Sequence, residues 1–129
     1  MSGPERTVAY IEDEPAVQRL VAFWLEDAGY RVLLAADGAT GLELVRAERP
    51  DLVVTDALMP GMTGDELVEL LRGDPELSDI PIVMATAAAS PLRVKRMLAL
   101  GCRAVIGKPL EESTFLAAVA EALGTPGEP

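Results

Sequence analysis

Short apolar runs alternate along the chain with segments in which apolar residues recur every three to four positions. Runs rich in β-branched residues and bounded by turn residues are typical of buried strands. The helical spacing is clear in the first long segment, which contains Val17, Val21 and Trp24. The pattern predicts five strands: Thr7–Ile11, Tyr30–Ala35, Asp51–Asp56, Ile82–Thr86 and Ala104–Gly107.

Capping and turn residues mark the ends of the predicted helices. Proline lacks a backbone N–H and therefore suits the first turn of a helix, as at Pro15 and Pro91. We expect Phe23 and Trp24 to be packing residues of the first helix. Five helices are predicted: from Pro15 up to Gly29, a short one around Leu42–Val45, one opened by Asp65 and Glu66, Pro91–Leu100, and about Glu111–Leu123.

Strands that alternate with helices predict one α/β domain, a (βα)5 unit built on a doubly wound parallel sheet. The strands are almost continuously apolar, which is typical of a sheet covered by helices on both faces. We expect the domain to span residues 7–123. Residues 1–6 are expected to form a flexible N-terminus, and residues 124–129 a C-terminal tail or the start of a linker.

Composition and charge exclude several classes of function. A formal net charge of −10 argues against direct binding to nucleic acid, which requires a basic surface. No apolar run is long enough to span a bilayer and the N-terminus lacks a signal-peptide pattern, so we expect a cytoplasmic protein without a membrane partner. The chain has one cysteine and no histidine. Any histidine that the chemistry needs must therefore come from a partner.

Polar residues stand where four of the five predicted strands end. Glu12 and Asp13 follow the first strand, Asp56 ends the third, Thr86 ends the fourth and Lys108 follows the fifth. The carboxyl ends of parallel strands meet at one edge of the sheet, where ligands of open α/β sheets bind. We therefore expect these five side chains to share a crevice.

The chemistry of these side chains points to phosphoryl transfer. Three carboxylates repel one another, and Lys108 supplies one positive charge against them. A donor set made of oxygen atoms favours a hard cation, and Mg²⁺ is the expected one. An aspartate such as Asp56 can attack phosphorus without a general base. Thr86, Lys108 and the cation would then stabilise the phosphoryl oxygens.

Each of these residues also has an ordinary structural explanation. An aspartate at a strand end usually caps a turn, and Glu12 and Asp13 fit a solvated helix N-terminus. Thr86 fits a turn, and Lys108 fits an exposed surface. The joint placement of all five at strand ends is what favours a functional site.

Four motifs resemble, in order and spacing, those of the receiver domain of the two-component response-regulator family. They are Glu12-Asp13-Glu14-Pro15, the segment from Asp56 to Gly64, Ala85-Thr86-Ala87, and Lys108-Pro109. The resemblance covers about Thr7–Leu123 and implies a flavodoxin-like strand order, 2-1-3-4-5. It also implies that Asp56 accepts a phosphoryl group from the phosphohistidine of a sensor histidine kinase or a histidine phosphotransfer protein.

The resemblance further implies how a metal ion is held and how a signal leaves the site. Asp13, Asp56 and the main-chain carbonyl of Leu58 would ligate Mg²⁺, with Glu12 acting through water. The Lys108–Pro109 peptide would be cis. The downstream partner, an effector protein or a fused output domain, would bind the face made by the fourth helix, the fifth strand and the fifth helix.

Two positions depart from the family pattern. The acidic pair is usually two aspartates, and Glu12 is longer by one methylene group. An aromatic residue is common three positions before the lysine, where this chain has Val105. In many relatives that aromatic side chain turns inward on phosphorylation, and Val105 has no ring that could do so. The resemblance as a whole implies a signalling module that catalyses only its own phosphorylation and dephosphorylation.

Three other functions fit parts of the sequence. A phosphatase of the haloacid-dehalogenase type also uses an aspartate nucleophile and Mg²⁺, but the second aspartate that it needs is replaced here by the segment Glu14-Pro15. A flavodoxin-like carrier of flavin mononucleotide needs a phosphate-binding loop after the first strand, where the acids of this chain would repel phosphate. The third alternative is a receiver that binds its partners without being phosphorylated.

Overall fold

The computed structural model describes residues 5–124, which form one parallel sheet with helices on both faces. The strand order is β2-β1-β3-β4-β5, so the predicted fold class and strand order are confirmed. The strands are β1 (Thr7–Ile11), β2 (Arg31–Ala35), β3 (Leu52–Asp56), β4 (Ile82–Thr86) and β5 (Ala104–Gly107). The helices are α1 (Pro15–Asp27), α2 (Gly38–Glu48), α3 (Gly64–Gly73), α4 (Pro91–Leu100) and α5 (Glu112–Leu123).

The predicted terminal segments fall largely outside the described residues. Of the predicted flexible N-terminus, residues 1–4 lie outside them, and of the predicted tail, residues 125–129 do. Within the described range, no helix combines the length and the apolar character that crossing a membrane requires.

The register of the central strands aligns their carboxyl ends. Ile11 at the end of β1 pairs with Thr55 of β3, and Asp56 pairs with Ala85 of β4. Thr86 in turn pairs with Gly107 of β5. The residues that end or follow these strands therefore meet at one edge of the sheet.

The sheet separates two apolar clusters. One lies against α2, α3 and α4 and includes the buried Cys102, whose pKa burial raises to about 11. The other lies against α1 and α5, where the rings of Tyr10 and Trp24 pack on Phe115 with centroids 6.2 and 6.0 Å away. Trp24 is buried as predicted, whereas the prediction that Phe23 packs is wrong, because its side chain is 63% exposed.

The start of α3 connects this fold to the edge where the polar residues meet. Thr63 and Glu66 form a reciprocal capping box, so α3 begins at Gly64, one residue before the predicted start. A Cβ atom at Gly64 would come within 2.6 Å of the Asp56 carbonyl oxygen, so a larger residue cannot fit without displacing the backbone. The N–H of Gly64 donates to the carbonyl of Ala57 at 2.9 Å. The helix is thereby tied to the loop that follows Asp56.

Candidate functional site

Three carboxylates converge at the carboxyl edge of β1 and β3. Glu12 is fully buried, Asp56 is 7% exposed and Asp13 is exposed. One oxygen from each of these carboxylates lies within 4.8 Å of the other two. Such close negative charges repel one another, so the cluster requires a compensating positive charge.

Lys108 supplies part of that compensation. Its Nζ donates to Glu12 Oε1 at 2.8 Å and to Asp56 Oδ2 at 3.1 Å. Burial opposes the charged ammonium, but the hydrogen bonds to Glu12 and Asp56 outweigh it, and the pKa of Lys108 lies above its ordinary value. Lys108 is therefore a fixed positive charge at neutral pH. The Lys108–Pro109 peptide is cis, which confirms the prediction.

Glu12 is held by more partners than the sequence indicated. Its Oε1 accepts from the hydroxyl of Tyr10 at 3.2 Å as well as from Lys108, and its Oε2 accepts from the N–H of Glu14 at 3.2 Å. Burial, the charge of Glu12 and the hydrogen bond to it raise the pKa of Tyr10. Sequence reasoning missed Tyr10. The available signal was the period of two in a strand, which turns residues 10 and 12 towards one face.

Asp56 and Thr86 are the two site residues that end strands, at the carboxyl edge of β3 and β4. Asp56 Oδ1 lies 3.4 Å from the N–H of Leu58, and its Oδ2 contacts Lys108. Thr86 is buried beyond Ala85, the strand partner of Asp56, and its hydroxyl oxygen accepts from the N–H of Ala88 at 3.0 Å. The structure thus brings Glu12, Asp56 and Lys108 into direct contact, with Thr86 bonded to its own loop.

The donor atoms of this edge fit a hard divalent cation. The three clustered side chains Glu12, Asp13 and Asp56 offer oxygen atoms only, which is the donor type that Mg²⁺ prefers. Lys108 pairs with two of these three carboxylates, Glu12 and Asp56, so its single positive charge does not balance the cluster. Asp13 is exposed, which leaves room for the water molecules that Mg²⁺ usually keeps.

The fold and the acidic edge together are typical of a signalling receiver, and comparison with known families agrees. The family model described as the response regulator receiver domain matches residues 8–120. The chain belongs to the response-regulator receiver family, and the sequence-based recognition is confirmed. It is therefore a receiver domain of two-component signalling with an acidic pocket formed by Glu12, Asp13 and Asp56.

The relatives include one protein of nearly the length of the matched region and one that is much longer. It is 32% identical over 119 residues to the polar-differentiation response regulator DivK of Brucella anthropi, covering 92% of this chain and 97% of that one. It is 42% identical over 113 residues to hybrid signal transduction histidine kinase D of Dictyostelium discoideum, covering 87% of this chain but 7% of that protein. The solved structure of the chemotaxis protein CheY4 of Vibrio cholerae superposes with a TM-score of 0.87 at 31% identity, covering 92% of this chain and 99% of that one.

Proposed function

We propose that this chain accepts a phosphoryl group on Asp56 from the phosphohistidine of a sensor histidine kinase or a histidine phosphotransfer protein. The phosphorylated form would change its binding to an effector protein or a fused output domain. The observation that carries the proposal is the contact of Asp56 with Lys108 at 3.1 Å in a cluster of carboxylates at a strand end. A receiver that works without phosphorylation has no need of this arrangement.

The chain's own residues account for the transfer. A carboxylate oxygen of Asp56 attacks phosphorus, the bond from phosphorus to the imidazole nitrogen breaks, and its electron pair returns to the ring of the partner's histidine. The product is an acyl phosphate on Asp56. Lys108 lies against Asp56 Oδ2 and would neutralise charge that develops on the phosphoryl oxygens.

The proposed ligands of Mg²⁺ are Asp13, Asp56 and the main-chain carbonyl of Leu58, with Glu12 acting through water. When bound, the ion supplies positive charge to the phosphoryl oxygens, as divalent cations do in phosphoryl transfer generally. The clustering of the three carboxylates supports the proposal for Glu12, Asp13 and Asp56. The role of the Leu58 carbonyl rests on the family resemblance.

Thr86 is the proposed link between the phosphoryl group and the partner surface. Its hydroxyl oxygen accepts a hydrogen bond from Ala88, so the hydroxyl proton can be donated elsewhere. A phosphoryl oxygen would attract that proton, since charge-assisted hydrogen bonds are about twice as strong as neutral ones. The movement would pull on the loop before α4 and alter the face made by α4, β5 and α5.

A transfer experiment with a phosphohistidine donor tests this function. Radiolabel on the histidine of a phosphotransfer domain should move to the wild-type chain in the presence of Mg²⁺ and should not move to the Asp56→Asn variant. Asp51→Asn is a matched control, because Asp51 precedes the same strand at its other end and its carboxylate accepts from the N–H of Thr7 at 2.7 Å. Equal labelling of the Asp56→Asn and Asp51→Asn variants would refute the proposal.

A further inference from the structure

We propose that Tyr10 is a positioning residue of this site, whose hydroxyl fixes Glu12 so that Glu12 can hold Lys108 against Asp56 and support a bound Mg²⁺. The inference rests on the proposed function and adds to it a residue beyond the strand-end motifs. Tyr10 acts through the glutamate that this chain carries where an aspartate is usual.

The ring of Tyr10 is itself fixed. Tyr10 is fully buried in β1, and its ring meets that of Phe115 edge-on, with centroids 6.2 Å apart and ring planes at 75°. The hydroxyl therefore has little freedom. It donates to Glu12 Oε1, the same oxygen that accepts from Lys108. One carboxylate oxygen thus joins a rigid phenol on one side to the site's ammonium on the other.

The length of Glu12 makes this arrangement possible. The N–H of Glu12 donates to the carbonyl of Ala35 at 3.0 Å, so the strand pairing continues one residue past β1 and residues 10 and 12 point to the same face. The extra methylene lets the carboxylate bend back to the Tyr10 hydroxyl. Its second oxygen accepts from the N–H of Glu14. Glu12 is fully buried, and a buried carboxylate needs its hydrogen-bond partners. Without the Tyr10 hydroxyl, Lys108 would be the one remaining donor to Glu12 Oε1, and the orientation of the carboxylate would be less constrained.

The Tyr10→Phe substitution removes this hydroxyl and preserves the ring. Mg²⁺ titrations, followed through the backbone amide of Asp13 by nuclear magnetic resonance, should show weaker binding by on the order of tenfold, as is common when an outer-shell hydrogen bond of a metal site is lost. The rate of phosphorylation by phosphoramidate should fall in parallel. Tyr30→Phe is the matched control, since Tyr30 precedes β2 at the opposite edge of the sheet. It should change neither quantity.

A double-mutant cycle separates this role from a general effect on the fold. Glu12→Asp shortens the side chain, so its carboxylate should no longer reach Tyr10. In the Glu12→Asp background, Tyr10→Phe should then leave the Mg²⁺ affinity unchanged. An equal loss of affinity in both backgrounds would show that the hydroxyl acts structurally, and no loss in either would show that it is dispensable. Both results overturn the inference.

The outcome remains decisive if Tyr10→Phe does not fold or the chain is not phosphorylated. The ¹³Cζ resonance of Tyr10 reports its hydrogen bond directly in the wild-type and Glu12→Asp proteins. It should shift on Glu12→Asp substitution, while that of Tyr30 stays in place. An unchanged Tyr10 resonance overturns the inference. Failure of the wild type to take up a phosphoryl group would instead overturn the proposed function, because the Mg²⁺ titration and this resonance do not depend on transfer.

Discussion

Glu12 is a residue whose place in the fold was predicted from the sequence but whose hydrogen-bond partners were not. The family resemblance implied a glutamate that reaches Mg²⁺ through water. The structure gives the side chain three hydrogen bonds, of which the one from Lys108 is the shortest at 2.8 Å. Position in a motif indicates which edge a residue occupies. It does not fix the rotamer of a flexible side chain, which depends on neighbours distant in sequence, here 96 residues away.

We expect two residues beside Asp56 and Thr86 to set the lifetime of the proposed phosphoryl group. The family resemblance implies that the side chains two positions past each of these residues flank the path of an attacking water molecule. Leu58 and Ala88 are both exposed, and neither side chain can hydrogen-bond an attacking water molecule. We expect slow self-dephosphorylation. The double substitution Leu58→Asn with Ala88→Glu should shorten the half-life severalfold, measured by intact mass after removal of the donor.

A control for that experiment uses the same two chemical changes far from the site. Leu70→Asn with Ala47→Glu alters exposed positions of α3 and α2 and should leave the half-life as in the wild type. If the Leu58 and Ala88 substitutions also left it unchanged, access of water past these side chains would not set the lifetime.

Among the helices, α4 is held by polar contacts more than by burial. Of the described residues in α4, only Met97 is buried. The N-terminal half is tied to α3 by an ion pair of 3.2 Å between Arg93 and Asp65, and Arg72 of α3 donates to the carbonyl of Gly101 at 2.9 Å. Elements with few buried apolar contacts are those that rearrange at low cost.

We therefore expect phosphorylation to move the β4–α4 loop and α4 more than β5. Val105 has no ring to rotate and is stiff about χ1, so amide shifts should concentrate in residues 86–100. The methyl resonances of Val105, recorded on the same samples, should shift little. Equal perturbation of Val105, with a change in its χ1, would show that β5 acts as the switch.

We expect the proposed phosphohistidine partner to dock on the exposed apolar residues of α1. Leu20 is 51% and Phe23 is 63% exposed, and Leu20 lines a groove with Pro109 beside Lys108. An apolar surface next to the site suits the partner that delivers the phosphoryl group. Phe23→Ala should slow transfer from a phosphohistidine protein by about tenfold, the scale of one interface hot spot.

A small donor separates docking from chemistry. Phosphorylation of the Phe23→Ala variant by phosphoramidate should proceed at the wild-type rate, since that donor does not contact α1. Leu70→Ala, at an exposed position of α3, is the matched control and should affect neither donor. Equal slowing with both donors would mean that Phe23 supports the fold or the site and not the partner.

Phe23 also shows why periodicity did not settle the buried face of α1. The segment from Leu20 to Leu25 contains apolar residues on several sides of the helix, so the pattern alone could not say which of them face the sheet. Packing against the sheet decides which face is buried, and Val21, Trp24 and Leu25 lie on it.

The start of α3 also differs from the prediction. The capping box of Thr63 and Glu66 outweighs the low helix propensity of Gly64, so the helix begins one residue earlier.

Over the whole molecule, the alternation of strands and helices was enough to predict the class of fold, because a parallel sheet follows from it. The order of the strands came from the resemblance, since alternation alone fits more than one order. The proximity of Glu12, Asp56 and Lys108 could be predicted because parallel strands place their carboxyl ends at one edge of the sheet. The hydroxyl of Tyr10 could not be predicted, because its partner depends on how the Glu12 side chain bends.

We expect this chain, with Mg²⁺ and a phosphoryl donor, to phosphorylate its own Asp56. Intact-protein mass spectrometry after incubation with phosphoramidate and Mg²⁺ measures this modification. We predict the addition of one phosphoryl group to the wild type, lost on treatment with hydroxylamine, and no addition when the metal is chelated or in the Asp56→Asn variant. Equal modification of the wild type and the Asp56→Asn variant, or no modification of the wild type, would show that Asp56 is not the phosphoacceptor.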